Sequence, residues 1–257
     1  MKEDVFMRRF FAGLLPLVCL LLTACAEPPT GELAPVDVYL PPETEFRGDA
    51  PAERTLTLDG ETFTLAYRCT TSSPRWPFAL DVYADESGAL TAEYRSGEDR
   101  PAAVSRSGPA AGGEPLSEDA QRERAAAWLS ACGVSVDGYA QCEAERFSDG
   151  SLLLSYYDVY KGYILRDGTD VLVDAHGRIC FYQSLACGWR ETLDARGRSP
   201  DTEEIRAAAD AAVRERCGAD GTLERRELSV ADDGTLLLFF TYALPSGGTD
   251  TVAFSLS

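Results

Sequence analysis

The sequence has very little histidine, and this scarcity excludes several kinds of catalytic and metal site. Among 257 residues His176 is the single histidine. A multi-histidine zinc site and an H-E-x-x-H helix are therefore impossible. A Ser-His-Asp arrangement would have to use His176, and no G-x-S-x-G motif supports one. Because His176 lies in the turn-like segment Asp174–Gly177, we interpret it as a turn residue rather than a ligand or a general base.

Basic side chains are scarce relative to acidic ones. The chain has 24 Lys and Arg against 42 Asp and Glu, which gives a formal net charge of −18. This is the wrong sign for nucleic acid or for adhesion to anionic lipid, so we predict no nucleic-acid partner. The acidic excess favours a solvated surface, with cationic partners or loosely held cations as the alternatives.

No phosphate-binding or dense cation-binding motif is present. The sequence has no P-loop and no G-x-G-x-x-G that opens a helix. Asp167, Asp170 and Asp174 lack the D-x-D-x-D-G spacing of a calcium loop, so we interpret them as surface-loop acids. We predict no metal ion and no cofactor. A carboxylate pair for hydrolysis stays open, although nothing in the sequence selects one.

The apolar run near the N-terminus is too short to span a membrane comfortably. It covers residues 10–22, whereas a span needs about 20 apolar residues. Its length suits a secretory signal, and Leu22-Thr23-Ala24-Cys25 resembles the bacterial lipobox. We therefore predict a lipoprotein signal peptide at residues 1–24 and lipidation of Cys25, which anchors the protein at the extracytoplasmic face of the cell membrane. An ordinary cleaved signal and a retained helix are the alternatives.

Proline and acidic residues follow Cys25, and they argue against a retained helix. We interpret residues 25–54 as a flexible tether, which spans roughly 30 Å as a random coil.

No cysteine pair has C-x-x-C spacing, which argues against a zinc knuckle or a thioredoxin-type site. Beyond the signal peptide and Cys25 an even number of cysteines remains, and an oxidising compartment permits them to form disulfides. Buried thiols are the alternative. Six cysteines allow fifteen complete pairing patterns, and a bridge from Cys132 to Cys142 is one example of a pair. The candidates are Cys69, Cys132, Cys142, Cys180, Cys187 and Cys217.

The second half of the chain contains an internal repeat. The helical pattern of Ser117–Gly133 matches Thr202–Gly218, and both segments end in Cys-Gly. Asp149–Tyr157 likewise matches Asp233–Thr241, each an Asp-Gly turn followed by a strand. Ser117 is a predicted N-cap, and Gly133 and Gly218 stand where left-handed residues end helices. We expect Cys132 and Cys217 to lie on buried helix faces.

These patterns predict an α+β fold of two helix-plus-antiparallel-sheet repeat units preceded by N-terminal β-hairpins. The predicted divisions are hairpins at 55–95, a surface linker at 96–116, a first unit at 117–198 and a truncated second unit at 199–257. The linker assignment depends on its content of Gly, Pro, Ala and Ser.

The helix Ser117–Cys132, the segment Tyr156–Gln183 and the weaker copy from Thr202 resemble PepSY domains. The resemblance implies a small extracytoplasmic module that inhibits or regulates a secreted peptidase, or that binds proteins at the cell surface. It transfers no functional residue to this sequence. The extra cysteines and the truncated second unit depart from the PepSY pattern.

Aromatic residues supply the candidate binding face. Tyr156, Tyr157, Tyr160 and Tyr163 form one cluster, for which core packing is the alternative. Arg75-Trp76-Pro77 is a further candidate contact. We therefore predict a non-catalytic, lipid-anchored protein that binds a protein or peptide at the cell envelope, with a peptidase inhibitor or regulator as one form. An envelope hydrolase with a carboxylate site and a structural envelope component are the alternatives.

Overall fold

A computed structural model describes Pro35 and residues 43–72, 78–108, 112–184, 187–196, 203–230 and 234–256. The predicted signal peptide, Cys25 and Arg75-Trp76-Pro77 lie outside these residues. No helix within the described ranges has both the length and the apolar character needed to cross a membrane.

The described residues form fifteen strands and three helices. The strands before the first helix are β1 (Glu43–Glu45), β2 (Glu53–Leu58), β3 (Glu61–Ser72), β4 (Leu80–Ala84), β5 (Leu90–Arg95) and β6 (Pro101–Arg106). Helix α1 (Glu118–Ala131) is followed by β7 (Gln141–Arg146), β8 (Leu152–Tyr157), β9 (Val159–Tyr160), β10 (Tyr163–Leu165), β11 (Thr169–Val173) and β12 (Ile179–Ser184). The chain continues with α2 (Trp189–Arg196), α3 (Glu203–Cys217), β13 (Thr222–Val230), β14 (Leu236–Ala243) and β15 (Thr249–Leu256).

Ten strands form one antiparallel sheet. Its order is β1-β3-β4-β5-β6-β12-β11-β8-β7, and β2 pairs with β3 off this path. Strand β6 pairs with β12 through Ser105 and Phe181, Val104 and Tyr182, and Ala103 and Gln183. This strand lies inside residues 96–116, where we expected a surface linker, and that expectation is wrong for Pro101–Arg106. Residues of β6 alternate between the two faces of the sheet, and this pattern determines the local structure more strongly than the loop-like composition around it.

The remaining strands form a five-stranded sheet in the order β15-β14-β13-β10-β9. Strands β9 and β10 come from the predicted first unit, while β13 to β15 come from the second. Strands β10 and β13 run parallel, with Leu165 opposite Leu228. The prediction of two helix-plus-sheet repeat units is therefore wrong, and the protein is mostly antiparallel sheet. Both sheets combine strands from different predicted units, because each strand must pair its backbone groups with a neighbour.

Parts of the predicted tether also pair with the sheets. Strand β1 lies against β3, and Pro35 forms an isolated antiparallel bridge with Phe254 on β15. A free, flexible coil is therefore the wrong description of Pro35 and Glu43–Glu45.

Several local predictions are confirmed. The side chain of Ser117 accepts a hydrogen bond from the Ala120 amide at 3.3 Å, and this bond caps α1. Gly133 and Gly218 have φ values of 67° and 66°, the left-handed conformation expected after a helix. Within the predicted hairpins at 55–95, Asp59 and Gly60 form the turn that joins β2 to β3, with φ values of 52° and 82°, as a type I′ hairpin requires. Helix α2, by contrast, was not predicted.

Two large hydrophobic cores hold the helices on the sheets. The first core packs α1 against the ten-stranded sheet, and Trp128 meets the Tyr182 ring edge-on at 5.7 Å. The second core packs α2 and α3 against the five-stranded sheet. Gln121 is fully buried in α1 and donates to the carbonyl oxygens of Gly150 and Asp174 at 3.0 and 2.8 Å. These bonds fix α1 over the turns of two hairpins.

Leu129 tests the first core, since it lies in α1 with only 1% of its surface exposed. We expect Leu129→Ala to lower the free energy of unfolding by about 2–5 kcal/mol, because the truncated side chain leaves a cavity. Urea unfolding followed by circular dichroism measures the loss. The control is Glu123→Ala on the exposed side of the same helix, with an expected change within about 0.5 kcal/mol. Equal losses in the two variants would contradict this packing.

Candidate functional site

The ten-stranded sheet has a second face, opposite the first core, which we call the open face. Successive residues of a strand point to opposite faces. Ala92 and Tyr94 belong to the first core, so Glu93 lies on the open face. Val171 also belongs to the first core, so its neighbour Asp170 lies on the open face as well.

Strand register aligns polar residues across the open face in what we call the carboxylate row. Each member alternates with a residue of the first core and is paired with the member on the neighbouring strand. In spatial order the row is Ser155, Asp170, Gln183, Ala103 and Glu93, on strands β8, β11, β12, β6 and β5. Two carboxylates thus share one line across five strands.

An apolar row runs beside the carboxylate row. Leu153 is paired with Leu172, and Leu172 is paired with Phe181. Leu172 is 6% exposed, whereas Leu153 and Phe181 are half-buried. The open face therefore offers a strip of apolar surface next to a line of polar groups.

Glu93 lacks a partner for its charge. Its paired neighbours on the open face are Val82 and Ala103, and neither can donate a hydrogen bond from its side chain. Among the described residues no side chain forms a hydrogen bond or an ion pair with the Glu93 carboxylate. Burial raises the pKa of Glu93 above its ordinary value, with no nearby charge acting on it. The sheet thus holds an acid in surroundings that favour its neutral form.

Asp170 is also buried, but it has partners. Burial raises the pKa of Asp170, while a hydrogen bond with Ser155 and the charge of Arg225 oppose the rise. Its side chain lines a cleft of about 130 Å³, which we call the junction cleft because β8 and β11 meet β10 and β13 there. The Glu227 carboxylate in this cleft lies 3.3 Å from the Arg225 guanidinium and 3.9 Å from that of Arg166. Both arginines therefore already neutralise an acid.

The predicted aromatic face is not exposed as one surface. Tyr160 and Tyr163 belong to the second core, at 5% and 0% exposure. Tyr157 is buried, lines the junction cleft and donates a hydrogen bond to Glu143. Tyr156 is half-buried and packs against the first core. Core packing, the alternative interpretation, describes these tyrosines better.

The interpretation of Asp167, Asp170 and Asp174 as surface-loop acids is wrong, because Asp170 lies in strand β11 and the other two are only 7% and 8% exposed. Asp174 accepts hydrogen bonds from the backbone amides of His176 and Arg178, both at 2.9 Å. Asp167 accepts one from the Trp189 amide at 3.1 Å, at the start of α2. Within the described residues no group of three His, Cys, Asp or Glu side chains is arranged to hold a metal ion. His176 lies in its predicted turn, and its Nδ1 is buried without a hydrogen-bond partner among the described residues.

All six predicted disulfide candidates are free thiols in the structure: Cys69, Cys132, Cys142, Cys180, Cys187 and Cys217. Cys132 is half-buried against the first core, as expected, but Cys217 is exposed, so the expectation of a buried face is wrong there. Burial raises the pKa of the Cys132 and Cys187 thiols to about 12. Nucleophilic thiolate chemistry is thereby disfavoured at these two positions.

The sequence carried only a weak signal for Glu93 and Asp170. Glu93 stands between Ala92 and Tyr94 in Leu90–Arg95, and Asp170 stands between Thr169 and Val171 in Thr169–Val173. Such alternation predicts that the acid faces away from the core, but it does not show which strands pair beside it.

Comparison with known proteins does not assign a family. No family model matches the sequence, and no curated protein matches it. Among solved structures, the chain is similar to the Bacillus megaterium YpeB C-terminal domain. The identity is 11%, the TM-score is 0.31, and the match covers 99% of this chain and 92% of that chain. A TM-score this low supports no conclusion about fold or function, so the argument below depends on the residues of this chain.

Thiol reactivity tests the placement of the cysteines. With iodoacetamide at about pH 8 we expect exposed Cys142 to be alkylated first, while Cys132 and Cys187 stay unmodified until the protein is unfolded. Peptide mass spectrometry locates the modified residues, and a urea-denatured sample is the control. A pair that resists alkylation even in urea and is released by a reductant would instead show the predicted disulfide.

Glu93→Gln tests the burial of this acid. Because its folded pKa is raised, Glu93 contributes stability below the ordinary glutamate pKa, and this stability is lost as pH rises through the raised value. Glutamine stays neutral, so we expect the variant to melt at a higher temperature than the parent near pH 7. The difference should vanish near about pH 4.

Glu86→Gln is the matched control, since Glu86 is exposed in the turn of the same hairpin and its loss changes the net charge equally. Its melting temperature should follow the parent at both pH values. A Glu93→Gln protein that melts lower than the parent at neutral pH would contradict the burial of an unpartnered charge.

Proposed function

We propose that this chain is a non-catalytic, lipid-anchored protein of the cell envelope that binds a protein or peptide on the open face of its ten-stranded sheet. The observation that carries the proposal is the unpartnered, half-buried carboxylate of Glu93 on a face that also bears the apolar row. Natural proteins pair buried charged groups, and exceptions are enriched at sites that meet a ligand.

The size of the junction cleft supports binding over hydrolysis. Sites for small ligands commonly enclose about 300–1,000 Å³, and this cleft has about 130 Å³. The hydrolase alternative has one favourable observation, the raised pKa of Asp170 beside Glu227. Glu227, however, is already paired with the guanidinium groups of Arg225 and Arg166, so the residues that line the cleft include no second unpaired carboxylate.

A secreted peptidase is the partner class that we propose first. Support comes from the resemblance of Ser117–Cys132 and Tyr156–Gln183 to PepSY domains, whose expected roles are the inhibition or regulation of such enzymes. An extended chain on a sheet face or edge is also a common mode of peptide recognition. If the protein is instead a structural component of the envelope, we expect the same face to contact a permanent neighbour.

The lipid anchor at Cys25 would hold the five-stranded sheet near the membrane. Pro35 pairs with Phe254 on the five-stranded sheet. Ten residue steps separate Cys25 from Pro35, and a fully extended chain of that length reaches about 35 Å. The distance between the bilayer and the folded sheets is thereby limited to the reach of this short segment.

Membrane attachment is tested with the full-length chain in a bacterial host. We expect the protein to sediment with membranes and to incorporate a labelled fatty acid, since a lipidated cysteine inserts acyl chains into the bilayer. Cys25→Ala should lose the label, and Cys19→Ala in the same apolar leader is the matched control that should keep it. Equal labelling of all three proteins would contradict anchoring at Cys25.

Binding is tested by capture of envelope proteins on the immobilised full-length chain in detergent, at moderate salt. A retained peptidase whose activity falls when the purified chain is added supports the proposal. Retention without any effect of the Glu93→Gln change on binding or activity would place the contact elsewhere. Turnover of a wall polymer that Asp170→Asn abolishes would instead favour the hydrolase alternative.

A further inference from the structure

We infer that the open face binds an extended peptide through a lysine or arginine side chain, and that Glu93 is the acid that pairs with this cation. The inference rests on the proposed function and names the chemistry of its partner. It is argued from the position of Glu93, the charges around it and the apolar row.

The first step is the missing partner. A buried carboxylate without a hydrogen-bond or ionic partner is unfavourable, and a protein stabilises it either by protonation or by a cation. Val82 and Ala103 on the flanking strands give Glu93 neither. An incoming ammonium or guanidinium group would supply both the opposite charge and hydrogen-bond donors.

The second step concerns the cations among the described residues, none of which pairs with Glu93. Arg95 is two residues further along β5 on the same face, which makes it the charged group to consider. Its guanidinium stacks on the Phe78 ring at 4.1 Å and lies 3.9 Å from Glu98. Thr91, two residues in the other direction, and Gln183 beyond Ala103 carry no charge. We therefore assign the cation to a partner.

The third step is the apolar row. A lysine or arginine side chain reaches its charge through three or four methylene groups, which prefer apolar surroundings. Val82 and Ala103, which flank Glu93 on the neighbouring strands, provide such surroundings. The apolar row begins two strands away from Glu93, at Phe181, and would accommodate apolar side chains further along the peptide.

The net charge of the chain favours the same partner. A formal charge of −18 attracts a basic peptide over a distance and repels an acidic one. Association should accordingly slow as salt is added.

The test uses the purified full-length chain in detergent and fluorescent seven-residue peptides of alternating valine and threonine. One peptide carries a central lysine, one carries norleucine in its place and one carries glutamate. Fluorescence anisotropy measures each dissociation constant near pH 7.

We expect the lysine peptide to bind at least about tenfold more tightly than the norleucine peptide, the gain typical of a charge-assisted pair. Glu93→Gln should abolish the lysine preference while raising the melting temperature, which a misfolded variant could not do. Glu86→Gln should keep the preference, because Glu86 is exposed outside the row.

Equal binding of the lysine and norleucine peptides, or a lysine preference that survives Glu93→Gln, overturns the inference. A dimer in light scattering that Glu93→Gln dissociates would also overturn it, because the occupant would then be a second copy of the chain. Failure here is distinct from failure of the proposed function. A captured peptidase that binds the Glu93→Gln protein equally supports peptidase binding but places the contact away from the open face. Lysine selectivity without any captured partner supports the site at Glu93 but not the proposed partner class.

Discussion

The rest of the structure depends on the pairing of β6 with β12. This contact joins strands that precede α1 to strands that follow it, and it makes one sheet of ten strands out of two smaller groups. Without it, β6 and β12 would each present an unpaired edge, which is a liability for a soluble sheet. The register of the same contact places Ala103 beside Gln183 and thereby brings Glu93 into line with Asp170.

The two faces of this sheet differ in the chemical groups that they bury. One face excludes water beneath α1 and contains the aromatic contacts of Tyr83, Tyr94 and Tyr182. The opposite face retains two acids whose pKa values burial raises. A protein selected for stability alone would place neutral residues there, since an unpartnered buried carboxylate lowers stability at neutral pH. Retaining such groups is typical of binding sites, where stability is given up for function.

The sequence predicts the local features of this fold well and its long-range pairings poorly. The Ser117 cap, the Asp59-Gly60 turn and the glycines after α1 and α3 depend on residues a few positions apart, so their patterns are readable. The pairing of β6 with β12 and of β10 with β13 depends on residues far apart in the sequence. The burial of Glu93 follows from those pairings, and the tyrosines that looked like a binding face are held in the cores by the same pairings.

The most direct test of this account is nuclear magnetic resonance of the full-length chain in detergent micelles, with amide contacts measured across β6 and β12. The account predicts cross-strand contacts between Val104 and Tyr182 and slow hydrogen exchange along both strands, as in the interior of a sheet. Fast exchange on β6 or β12, with no contact between them, would show two separate sheets. The carboxylate row would then not exist as one surface, and the account would be wrong.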